Sequence, residues 1–113
     1  MSFSVKQKDT RPVYLVQLVD ASTGSNVPIN LTNATSVTFK MRVHGGTGAP
    51  KVTAAATIVD AVNGKVQYTF TSANLDTVGT FDVEFEILWN DGGIETVPND
   101  SYLTVIVVND LDD

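Results

Sequence analysis

His44 is the single histidine of the chain, and it stands directly before two glycines in HGG, residues 44–46. Esterases use a similar stretch as an oxyanion loop, whose backbone N–H groups hold the charge of a tetrahedral intermediate. That chemistry needs a nucleophile on a sharp G-x-S-x-G turn, and the chain contains no such motif. Without a positioned nucleophile and an orienting group, His44 reads as a loop residue. GTGAPK (46–51) carries glycines but lacks the G-K-[ST] ending of a phosphate loop, so it reads as a mobile loop at a sheet end.

Carboxylates offer a second chemistry. Asp82, Glu84 and Glu86 alternate along one stretch, and paired carboxylates are the groups of a glycosidase site or a calcium site. Period two also puts all three on the water side of a strand, where charge protects against edge pairing. We adopt that simpler reading. Asp110, Asp112 and Asp113 lack the glycine and the spacing of a calcium loop and read as a solvated terminus. Asn30, Asn33 and Asn99 satisfy the N-x-[ST] pattern; with no apolar leader in MSFSVKQKDT, they read as turn and strand-end residues. The chain has no cysteine, which excludes disulfides and thiolate metal ligation. The sequence therefore predicts a protein that is not an enzyme, with no catalytic residue, no cofactor and no metal. Trp89, Tyr14, Tyr68 and Tyr102 supply the alternative function, a carbohydrate- or receptor-binding module whose aromatics stack on sugar rings. Trp89 continues the apolar face of Phe81, Val83, Phe85 and Ile87, which argues for a core-edge role instead.

The elements that must position these residues are strands. Val37, Phe39, Met41 and Val43 alternate with Ser36, Thr38, Lys40 and Arg42; Phe81 to Trp89 alternate with Thr80, Asp82, Glu84, Glu86 and Leu88. Phe3 and Val5 suggest a short first strand, and residues 13–20 a second, broken from the first by Pro12. Pro28 makes 26–34 an edge segment or a loop. Residues 51–70 read as strand, turn, strand, with Asn63-Gly64 as a two-residue type I′ turn. Thr71 or Ser72 caps one helical turn, which Gly79 ends. IETV (94–97) pairs back after NDGG, and SYLTVIVV (101–108) closes the set. Turn signals between about seven or eight strands predict an all-β antiparallel sandwich, one domain over 1–113 with an acidic tail at 109–113. The expected core is Val37, Phe39, Met41, Val66, Tyr68, Phe70, Phe81, Val83, Phe85, Leu103 and Val105, and loop 44–50 and the tail are expected to be the most exposed segments.

The chain has 113 residues, 42% of them hydrophobic, and a net charge of −6. That length buries roughly two thirds of the unfolded surface, enough for an ordinary core. A negative balance argues against a phosphate-backbone partner, so no nucleic acid is expected. No apolar run approaches a membrane span. A soluble protein made in the cytoplasm fits these features.

Two strands break the one-sided pattern. In 101–108, Leu103, Val105 and Val107 occupy one face, while Tyr102, Ile106 and Val108 make the other apolar as well. In 13–20, Val13, Leu15 and Val19 oppose Tyr14, Val16 and Leu18. Each strand is either central and shielded by a neighbouring loop, or covered by another molecule.

The order of motifs supplies a direction. VKQKDTRPVYLVQLVDASTGSNVPINLTNATSVTFKMR, then ATIVDAVNGKVQYTF, then VGTFDVEFEILWNDGGIETVPNDSYLTVIV, resembles the amino-terminal domain of phage baseplate upper proteins. The resemblance runs from about Phe3 to Val108 and implies an immunoglobulin-like β-sandwich of bacteriophage virions, without catalytic residues, in a stand-alone form that keeps only the docking half. It implies a location in the virion, at head, neck, tail or baseplate, with other virion proteins and further copies of the chain as partners. Under that resemblance Tyr102, Ile106 and Val108 become the expected docking surface, joined by Tyr14, Val16 and Leu18.

Overall fold

The computed structural model describes residues 2–11, 13–20, 27–46, 48–98 and 103–109. Among the described residues ten strands follow in order: β1 (Ser2–Lys6), β2 (Tyr14–Gln17), β3 (Val19–Asp20), β4 (Val27–Pro28), β5 (Ala34–Val43), β6 (Val52–Asp60), β7 (Lys65–Tyr68), β8 (Gly79–Trp89), β9 (Ile94–Val97) and β10 (Leu103–Val108). Eight of these join in one folded-over sheet of order β1-β10-β8-β5-β6-β7-β2, with β9 beside β8, and β3 and β4 form a small pair. The all-β sandwich is thereby established. One pair departs from the antiparallel expectation, because β1 runs parallel to β10, with Ser4 opposite Ile106.

The fold-over happens within β6. Its first half pairs with β5, Val37 opposite Ala56, and its second half pairs with β7, Thr57 opposite Gln67. A strand that changes partners along its length turns a corner between two layers. The register shifts between Ile58 and Asp60, so a bulge lies close to that corner. The two ends of the path then approach one another, and the rings of Phe3 on β1 and Tyr14 on β2 lie 4.7 Å apart.

Between the layers lies an aromatic core. Phe39 stacks on Tyr68 at 4.1 Å and meets Phe85 and Phe70 edge-on at 5.6 and 5.7 Å. Such offset and edge-to-face pairs add to the burial of the rings themselves. The inward alternation of β5 and β8 holds for Val37, Phe39, Met41, Phe81, Val83, Phe85 and Ile87, all buried, whereas Val43 at the end of β5 is 54% exposed. Leu103, expected in the core, is half-buried against its edge.

Local chemistry corrects two expectations. Residues 13–20 do not form one strand: Leu18 is drawn out of the ladder, its N–H donating to the Gly64 carbonyl (2.8 Å) and its carbonyl accepting from Ile29 N (2.9 Å). The 60–65 connection is not a two-residue type I′ turn, because φ is positive at Gly64 but not at Asn63. Four residues, Ala61 to Gly64, make the turn, and Asp60 accepts from the backbone N (3.4 Å) and Nδ2 (2.9 Å) of Asn63. An Asx-type side-chain bond of this kind competes with the primed turn. Gly64 is required for a second reason, since a Cβ there would lie 2.6 Å from the Ile29 carbonyl and 2.8 Å from that of Leu18. The helical turn is a 3-10 helix at Ser72–Leu75 capped by Thr71 in a capping box with Asn74. It ends at Asp76, and Gly79 begins β8 instead.

Candidate docking surface

Register settles what faces outward. Val105 and Val107 of β10 point into the core, which leaves Thr104, Ile106 and Val108 on the opposite face, all half-exposed. Ile106 sits between Ser4 of β1 and Thr80 of β8, and Val108 lies opposite Lys6. Ser2, Ser4 and Lys6 are exposed, so the β10–β1 strip presents two aliphatic side chains framed by small and polar ones.

The companion strand is corrected. Tyr14 is 6% exposed and Leu18 1%, and Val16 packs against the core, so this face of 14–18 points inward. Tyr14 and Leu18 are thus core residues of the folded chain, and Val16 is half-buried beside them. The reason is the pairing with β7, where Tyr14 lies opposite Tyr68 and Val16 opposite Val66, both themselves buried. Outward on β2 stands Leu15, 57% exposed. Tyr102 lies outside the described residues, as do Asn99, most of the turn after Asp20 and the carboxylates Asp110, Asp112 and Asp113.

Two apolar features lie outside the sequence expectations. Leu88 of β8 and Ile94 of β9 form an exposed cross-strand pair at the far end of the same outer face. Its signal was legible, because Leu88 is an apolar residue on the polar phase of β8. The second is a groove of about 530 Å³ bordered by Phe3, Tyr14, Val16, Gln17, Val19 and Leu103, where the edges of β1 and β2 approach without pairing. It had no signal, since its walls come from three distant parts of the chain.

The residues tested for chemistry take up structural positions. Asp82 was expected in water, yet it is only 8% exposed. The turn after β5 folds back over it: His44 Nδ1 lies 2.8 Å from Asp82 Oδ1, and Gly45 N donates to Oδ2 at 3.4 Å. His44 itself is 70% exposed. A carboxylate beneath an imidazole can orient it for proton transfer, but among the described residues no hydroxyl or thiol is bonded to the ring. Glu86 pairs with Lys40 at 2.9 Å, both half-exposed, an arrangement that contributes little. Of the aromatics proposed for sugar stacking, Tyr14 and Tyr68 are core residues, and Tyr68 donates its hydroxyl to Asn74 Oδ1 (2.6 Å). Trp89 is half-buried at the core edge, with Nε1 donating to Glu95 Oε1 (3.2 Å). Among the described residues no three His, Asp or Glu side chains converge on a metal position, and no helix is long and apolar enough to cross a membrane.

Fold and surface together describe a β-sandwich that presents sheet faces and strand edges to its surroundings. The chain belongs to the BppU N-terminal domain family, the baseplate upper protein domain, whose family model matches residues 3–113. Membership places it among phage baseplate-related structural proteins, and implies incorporation into a virion and contact with other virion proteins. No curated protein matches the chain.

Proposed function

We propose that this chain is a non-enzymatic virion module that docks on another subunit of the particle through the outer face of β10 and β1. The observation that supports this reading is the placement of Ile106 and Val108. They project from a strand whose inner face already fills the core, and no described element lies over them. A solvated sheet face ordinarily carries polar residues at such positions. Aliphatic anchors in a polar frame are the composition of an interface centre and its rim. Tyr14, Val16 and Leu18 are no part of this surface.

Ile106→Asp tests the reading. The isolated variant is expected to fold, losing no more than about 1 kcal/mol, because the side chain lies on the half-exposed face. Incorporation into particles, measured by supplying the variant in trans during infection and blotting purified virions, is expected to fail. Normal incorporation of a folded variant would remove this face as the docking surface.

A further inference from the structure

Asn63 precedes Gly64, and that pair is chemically unstable in a free chain. The glycine nitrogen is unhindered and can attack the side-chain amide. Gly64 N forms a bond to Asn63 Cγ and loses its proton to base in the solvent; Nδ2 takes up a proton from water as the Cγ–Nδ2 bond breaks, and ammonia leaves. Water then opens the cyclic imide at either carbonyl, giving aspartate or isoaspartate.

The fold opposes each movement this reaction needs. Gly64 N–H is engaged by the Ala61 carbonyl at 3.2 Å, and Gly64 C=O by Leu18 N at 2.8 Å. The Asn63 amide is turned toward Asp60, donating from Nδ2 to Oδ2 at 2.9 Å, and the Asn63 carbonyl accepts from Gln17 Nε2 at 2.9 Å. Gly64 packs against the Ile29 and Leu18 carbonyls with no room for a Cβ. Attack requires the glycine to leave Ala61 and the amide to leave Asp60 together, which is an opening of the whole turn. The contact works in both directions: the Asn63 side-chain and backbone bonds hold the Asp60 carboxyl below its ordinary range.

We propose that Asn63 is a latent deamidation site, kept unreactive by Asp60 and the closed turn, whose conversion to an acid releases the seam joining this turn to Gln17, Leu18 and Ile29. The product would set a second carboxylate against that of Asp60 and remove the side-chain donor that now satisfies Oδ2. Reaction would thus weaken the turn that restrains it.

The test uses the full chain in mildly alkaline buffer, folded or held in concentrated urea, with deamidation at Asn63 followed by peptide mapping and mass spectrometry. The folded chain is expected to react at least about tenfold more slowly, the factor set by the opening equilibrium of the turn. Asp60→Ala, confirmed folded by circular dichroism, is expected to react several-fold faster than the folded wild type. Asn63→Asp, which mimics the product, is expected to melt lower at neutral pH and to recover as acid neutralises the carboxylate pair. Equal rates in folded and unfolded chains, or no acceleration in Asp60→Ala, would overturn the protective role. An Asn63→Asp variant that melts like wild type at neutral pH would overturn the release of the seam.

Discussion

Phe85 touches the centre of the core, fully buried, with Phe39 at 5.6 Å and Tyr14 at 6.3 Å. Phe85→Ala removes a ring that contacts both layers and is expected to cost about 3–5 kcal/mol in urea unfolding. A second residue-scale consequence concerns alkali. Burial pushes the Tyr14 hydroxyl up from 10.0 to about 12, and it raises Tyr68 in the same direction. The folded chain then holds a proton that the unfolded chain releases once pH passes 10, so stability falls as pH rises between 10 and about 12. Below that window Tyr14 contributes no slope. Thermal melts across the range are expected to stay level in this respect up to pH 10.0 and then decline, and Tyr14→Phe is expected to reduce the decline while leaving the Tyr68 share.

At the scale of elements, the turn after β5 depends on one residue of β8. Asp82 lies opposite Arg42 and reaches up to the His44 ring and the Gly45 amide. Asp82→Ala removes both bonds, but Gly45 is exposed and water can take up its N–H, so the change is expected to destabilise by about 0.5–1.5 kcal/mol, measured by urea unfolding. His44→Ala is expected to cost less, because the ring is mostly in solvent. The alternation of β8 put Asp82 on the correct face. That a turn closes over it was not legible, since its partners stand 38 and 37 positions away in the chain. The 63–64 turn departs from its sequence expectation for a related reason. Asn-Gly states a local preference, and the carboxylate of Asp60 supplied a competing local bond that selected a longer turn.

Across the whole molecule, the outer face of the large sheet carries apolar residues at both ends. Ile106 lies level with Thr80 on β8 and Ile94 level with Leu88, eight residues further along that strand and so roughly 27 Å away. Lys40 and Glu86 occupy the ground between, which divides the face into two separate spots. Ile94→Asp is therefore expected to leave both fold and particle incorporation unchanged, in contrast to Ile106→Asp in the same assay. Loss of incorporation in both variants would mean that a partner spans the entire face.

Where one side of a strand was polar, the sequence by itself determined the burial pattern. On β5 and β8, period two and the contrast between Phe39 and Lys40, or Phe85 and Glu86, leave one stable orientation, because the reverse would bury charge. β2 had no such contrast. Val13 and Leu15 are as apolar as Tyr14 and Val16, so transfer from water favours neither face. Tertiary structure made the choice: pairing with β7 set Tyr14 beside Tyr68 in the aromatic core, and the bonds of Leu18 to Gly64 and Ile29 held that phase. β10 posed the same question and was decided by its neighbours, since pairing with both β1 and β8 turned Val105 and Val107 inward and left Ile106 on the outside. Hydrophobicity acts through single residues and can be read along the chain. Register is a relation between distant segments, and it exists only once the sheet has closed.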